Sequence, residues 1–257
     1  MADKLNVEKL ILETIRKPRA DIEPRMFSSN VEQRRRLSQS KSITADHIDT
    51  LINDPDYMVR IYAATHPNAE PHHQAAALND PSMHVRANVV RDISSVTPQE
   101  IDKTLDNEDS WVRSTAMYNP YASAEHVSKA LKDDNGLVVK AAINHPNFNT
   151  NHITTVLRGS KYSSYQKVMA LKRAGVTSEH IYLALNDPSH FVRKIAITRS
   201  KVTSDHIDKA MKDSHDTVRY YAVKHRNASK QQLEQALNDP LTRIKKLASA
   251  KLAKINE

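Results

Sequence analysis

The stretch LNDPSHFVRKIAITRS at residues 185–200 recurs in this 257-residue chain, as LNDPSMHVRANVV from Leu78 and INDPDYMVRIYAATH from Ile52. A short unit repeated at fixed spacing constrains the fold strongly. Each copy must fold alike and bury its apolar face against its neighbours. Aligned on the residue after the valine, the copies place Arg60, Arg86, Arg113, Val139, Lys167, Arg193, Arg219 and Lys245 in one column, at spacings of 26, 27, 26, 28, 26, 26 and 26 residues. One more step back reaches Arg34 in VEQRRRLSQ, a degenerate first copy, and VEKLILETIRK before it reads as an amphipathic capping helix.

Each copy reads as two helices. The first opens at Thr44, Thr97, Ser123, Thr177, Thr203 or Ser229, residues whose side chains cap free amides, and TPQE at 97–100 adds a capping box. Its core face is a four-residue step: Ile48 with Ile52, Ile101 with Leu105, Val127 with Leu131, Ile181 with Leu185, Ile207 with Met211 and Leu233 with Leu237. The second helix is expected to start at Asp54, Asp80, Asp187 or Asp239, each followed by Pro, and to pack through Val59, Ala63, Ala64 and their equivalents. The expected fold is all-α, a right-handed α-solenoid of about nine two-helix units. Residues 1–27 form the capping helix and first-repeat helix, and 28–257 a single repeat domain whose basic half starts at about 129.

The pairing of Asp with Val-Arg six residues later, Asp54/Arg60 and Asp80/Arg86, resembles the signature of HEAT-type repeats, and VRIYAATHPNAEPHHQAAALNDP resembles the leucine-rich-repeat variant. The likeness covers about residues 28–250. It implies a curved superhelix used mostly as a binding surface. It also implies that Asp54, Arg60, Asp80, Arg86, Arg113, Asp187, Arg193 and Arg219 form a structural ladder between neighbouring repeats, with a weaker joint at Val139. The metal-cluster domain found beside some variant repeats needs cysteines, and this chain has none. Without cysteine there is also no disulfide, thiolate nucleophile or zinc finger.

Charge separates the two ends of the chain. Residues 1–128 hold 15 Lys plus Arg against 19 Asp plus Glu, whereas 129–257 hold 23 against 11. A basic half points to a polyanionic partner. At 100° per residue, positions one, five and eight after the arginine column face away from the core positions one before and three after it. That outward stripe holds Lys140, Lys172, Lys194, Lys201, Lys224 and Lys246, with Tyr220 among them. Lysines at each repeat suit a phosphate backbone, and the expected function is a non-catalytic scaffold that binds nucleic acid electrostatically, DNA ahead of RNA. The alternative is a protein–protein adaptor gripping its partner on the concave face, with Tyr118, Tyr121, Tyr220 and Tyr221 as anchors.

A third reading, HEAT-like-repeat DNA glycosylase, rests on resemblance alone, and its nearest local feature is NEDSWVR with Asp109 and Trp111. Trp111 stands in a column with Met58, His84, Leu137 and Phe191, which reads as a packing position. No glycine-rich phosphate loop, GxSxG or HExxH occurs, so no catalytic residue and no cofactor are expected. His47, His73, His126, His152, His180 and His206 share a column at the third position of the first helix. Repeats stack about 8–10 Å apart, too far for one metal. The column is expected to bond near helix N-termini in the place of Glu or Gln, and no metal is expected. No apolar run spans a membrane and no signal peptide shows, so a cytoplasmic location is expected. The ends leave the oligomeric state open.

Overall fold

The computed structural model describes residues 22–92 and 96–255, and the helix expected from VEKLILETIRK lies outside them. Eighteen helices and no strand occur among the described residues. They form nine consecutive pairs. By internal contacts the chain divides into two compact units, Met1–His145 and Pro146–Glu257. The first holds α1 (Glu23–Met26) and α2 (Val31–Ser38), α3 (Ala45–Leu51) and α4 (Tyr57–Ala64), α5 (Pro71–Leu78) and α6 (Met83–Asp92), α7 (Pro98–Leu105) and α8 (Ser110–Ala116), α9 (Ala124–Ala130) and α10 (Gly136–Asn144). The second holds α11 (Thr150–Arg158) and α12 (Ser164–Lys172), α13 (Ser178–Ala184) and α14 (His190–Ile197), α15 (Ser204–Met211) and α16 (Asp216–Lys224), α17 (Lys230–Ala236) and α18 (Thr242–Ile255).

Within each unit, second helices pack in a row against second helices, more closely than first helices pack against first helices. Side-chain size explains the difference. Three residues after the arginine column stand Ala63, Val89, Ala116, Ala142, Ala170, Ala196, Ala222 and Ala248, all fully buried. Seven of the eight are alanine, which brings neighbouring helices close and costs nothing in side-chain entropy. The other layer is filled by the first-helix residues Ile48, Ile101, Val127, Ile153, Ile181, Ile207 and Leu233, also fully buried. Each such residue contributes about 1.5–3 kcal/mol of transfer free energy. Leu237, expected in the core, is 39% exposed.

The first helices start at the expected caps, Thr44, Thr97, Ser123, Thr177, Thr203 and Ser229. The second helices start later than the Asp-Pro pairs. α4 begins at Tyr57 with Asp56 as its cap, and Asp54 stands in the turn before it. The Asp54 carboxylate folds over that turn, with Oδ1 accepting the Asp56 N–H at 2.8 Å, so its second oxygen is left for a neighbouring repeat.

Candidate nucleic-acid interface

The arginine column lies along the joints between repeats. Arg60 Nη1 donates to the carbonyls of Asp54 and Pro55 at 2.7 and 3.1 Å, while Nε and Nη2 reach the next repeat, to Asp80 Oδ2 and Oδ1 at 2.7 and 2.9 Å. The same fork joins Arg34 to Asp54, Arg113 to Asp133, Arg193 to Asp213 and Arg219 to Asp239, with Nε–Oδ2 distances of 2.6–2.8 Å. Lys167 reaches Asp187 at 2.7 Å. The hydrogen bond to its aspartate holds each of the guanidinium groups of Arg60, Arg113, Arg193 and Arg219 above its ordinary value. Two joints differ. Val139 carries no charge, and Arg86 keeps its bonds to the carbonyls of Asp80 and Pro81, at 2.6 and 3.0 Å, but meets Asn107 where other copies have an acid.

The histidine column sits in capping boxes. Nδ1 of His47, His73, His126, His152, His180 and His206 accepts the backbone N–H of the cap residue three positions earlier, at 2.8–3.0 Å. Glu100 and Gln232 do the same in their copies. A neutral imidazole that accepts at Nδ1 carries its proton on Nε2. That proton points to the preceding repeat: His73 to Asp49 at 2.9 Å, His126 to the Pro98 carbonyl at 3.1 Å, His180 to Thr154 Oγ1 at 2.9 Å. Burial lowers the pKa of His180 and His206. Asp49, His72 and His73 bring their ligand atoms within 4.8 Å of one another. His73 has no Nε2 lone pair to offer a metal while its cap is intact, so this trio is better described as a hydrogen-bonded corner.

Charge collects at the C-terminal ends of the second helices in the second unit. Residues 146–257 hold 20 Lys plus Arg against 9 Asp plus Glu. Asp187, Asp213 and Asp239 are taken by the ladder and Asp216 by Arg243. Two clefts open beside these helix ends, of about 490 and 420 Å³, and both are lined by Arg199 and Ser200. The first adds Arg173, Gly175 and Lys201, and the second Tyr221, Lys224 and Arg226. Lys194 and Lys224 stand over the Tyr221 ring, 5.2 and 5.8 Å from its centre, and Tyr220 meets Tyr221 edge-on. Arg173 stands over Phe148 at 5.9 Å. Nε of Arg199 is buried and has no hydrogen-bond partner among the described residues. Cations at helix C-termini also complement the helix dipole, which accounts for part of the pattern.

The residues of the sequence-derived stripe fall in different places. Lys172 and Lys224 are the last residues of α12 and α16, exposed beside the clefts, and Lys194 is half-buried on α14. Lys201 is exposed and lines a cleft, but α14 ends at Ile197, so it sits in the turn and not on a helix face. Tyr220 is covered by Arg243, whose guanidinium lies 5.6 Å from its ring centre. Lys246 is exposed on α18, and Lys140 is exposed on α10 in the first unit. Arg199, Tyr221 and Arg226 are absent from the stripe. Their signal in the sequence is a basic or aromatic residue six, two and seven positions past the arginine column, outside the helical phase used to find the others.

Trp111 is 39% exposed, with His84 edge-on at 5.4 Å and Tyr57 beyond it. The expected packing role does not hold. Two residues before the arginine column lies about 160° round the helix, on the outward side. Asp109 Oδ1 is occupied, accepting the amides of Trp111 and Val112 as the cap of α8.

These features define a class: an all-helical repeat protein of the solenoid kind. A solved structure described as a leucine-rich repeat variant with a novel repetitive structural motif is similar over 87% of each chain, at 18% identity and a TM-score of 0.64. A designed armadillo repeat protein aligns over 91% of this chain and 98% of its own at 18% identity, with a TM-score of only 0.24. No family model and no curated protein matches the chain. Among the described residues no helix is long and apolar enough to cross a membrane.

Proposed function

We propose that the protein is a binding scaffold whose second unit holds the phosphate backbone of a nucleic acid. The observation that carries this reading is the pair of clefts sharing Arg199. They place five cationic side chains, Arg173, Arg199, Lys201, Lys224 and Arg226, along consecutive repeats beside the ring of Tyr221. Backbone phosphates recur at a spacing that a row of repeats can follow, and a base stacking on an aromatic ring contributes about 1–3 kcal/mol. Lysine-rich contacts position a strand without reading its sequence. An anion would also satisfy the buried Nε of Arg199.

The test is fluorescence anisotropy of labelled duplex DNA, single-stranded DNA and RNA over a salt series. If Lys172, Lys194, Arg199, Lys201, Lys224 and Arg226 each meet a duplex phosphate, the logarithmic salt slope is roughly −5, from about −0.9 per contact. The triple variant Lys201→Glu, Lys224→Glu, Arg226→Glu is expected to bind at least about a hundredfold more weakly and to lose close to three units of slope. Binding that is flat with salt, or equal in the variant, sinks the proposal.

A second reading, recognition of a protein, draws support from the first unit. Tyr57, Trp111, Tyr118, Tyr121 and Leu137 are all exposed there, and exposed aromatic side chains are favoured at interfaces.

A further inference from the structure

The joint at Arg86 is a ladder rung with its acid removed. In the forks of Arg60, Arg113, Arg193 and Arg219, Nη1 is held by two backbone carbonyls of its own repeat and the Nε/Nη2 edge grips an aspartate of the next. Arg86 keeps the first half, with Nη1 on the carbonyls of Asp80 and Pro81. Its Nε and Nη2 have no acceptor among the described residues. The acid position is Asn107, whose Oδ1 accepts the Asp109 N–H at 2.9 Å. The ladder aspartates make the same bond, as Asp54 does to Asp56 and Asp80 to Ser82. That bond fixes the amide orientation, since only oxygen can accept there. The Asn107 Nδ2 therefore takes the place where the aspartates present Oδ2. Donor faces donor across the joint.

Arg86 and Asn107, which carry these groups, both line one cleft of about 730 Å³ in the first unit. We propose that this cleft binds a carboxylate, which completes the rung that Asn107 leaves open. A carboxylate offers two oxygens at the spacing of the Nε/Nη2 edge, and this edge already holds one in five other copies. Phosphate is disfavoured by the charge balance of the same walls. Asp106 is paired with Lys129 and Asp80 with Arg60, and Glu100 and Glu108 offset Arg86 and Lys103, so the lining has no net positive charge to hold a dianion. The carboxylate has two possible sources, a small organic acid or the end of a peptide chain. The same donors serve both.

The experiment uses the full chain and follows the Arg86 Nε–H resonance by NMR, identified by its disappearance in Arg86→Gln. Glutarate, a short glycine peptide with a free C-terminus, the same peptide amidated, and inorganic phosphate are titrated at constant ionic strength. The deciding variant is Asn107→Asp, which supplies the missing acid from within. The inference expects a saturable shift with glutarate, with the free-acid peptide, or with both, none with the amidated peptide, and binding weaker by about tenfold or more in Asn107→Asp. A response to glutarate assigns a small acid, and a response to the peptide alone assigns a chain end. Asn107→Asp is also expected to melt at higher temperature than the natural chain. The idea is overturned by no shift with either carboxylate, by phosphate binding as tightly, by carboxylate binding unchanged in Asn107→Asp, or by an unchanged or lower melting temperature in that variant.

Discussion

A histidine caps a helix only while its Nδ1 lone pair is free, so acid removes the cap as it charges the ring. For His180 and His206 burial sets the folded pKa below the ordinary imidazole value of about 6.5. Between those two values the unfolded chain binds more protons than the folded one. The stability these rings contribute is thus complete above about pH 6.5 and is lost as pH falls through the window. His206→Gln keeps the capping geometry, since Gln232 holds the equivalent place in the last copy. We expect its urea midpoint to fall less between pH 7.5 and 5.5 than that of the natural chain. The ladder answers to a different test. Arg60 and Asp80 side chains are 13% and 6% exposed, so Arg60→Met strands a nearly buried carboxylate and should cost about 3 kcal/mol. Adding Asp80→Asn should recover part of that loss, measured as a coupling energy in a double-mutant cycle.

At the scale of elements, the caps, Asp-Pro turns and core faces are legible in the sequence because each is decided within about six residues. The exact start of the second helices is not. Asp before Pro looks like a cap, yet its carboxylate is drawn away by a guanidinium twenty residues earlier, a partner that local reading does not weigh. The longest repeat shows the same limit. Its extra residues in RGSKYSSYQK read as a bend in the superhelix or a presented loop, and the structure buries Tyr162 there, with burial raising its phenol pKa. A Cβ on Gly159 would lie 2.5 Å from the Tyr162 ring. Because that ring is only 7% exposed and has little room to swing, Gly159→Ala is expected to destabilise the second unit by about 1–3 kcal/mol, read from thermal melts.

Over the whole molecule, the repeat number and helix pairing follow from the 26-residue period, and the charge contrast between the ends is visible by counting. The clefts are not, because Arg199 and Tyr221 are brought together from successive copies and helical phase within one copy misses both. A wheel drawn for one helix also places Lys201 on a face that the helix does not extend to form. Periodicity makes a sharper prediction about length. Excising residues 187–212 places Asp213 twenty residues after Lys167, where Asp187 stands now. The shortened chain is expected to fold cooperatively, with a smaller denaturant slope in proportion to the surface lost.

A regular copy thus has a hand in both directions: an arginine or lysine that reaches forward to the next aspartate, and an imidazole or amide that reaches back to the copy before. A regular copy that is duplicated carries both hands with it, and the new junction is complementary at once. An array built this way is free to lengthen by copying errors in its gene without inventing an interface. A copy whose aspartate drifts, as at Asn107, leaves a grip open while the joint on its other side, Arg113 to Asp133, stays closed.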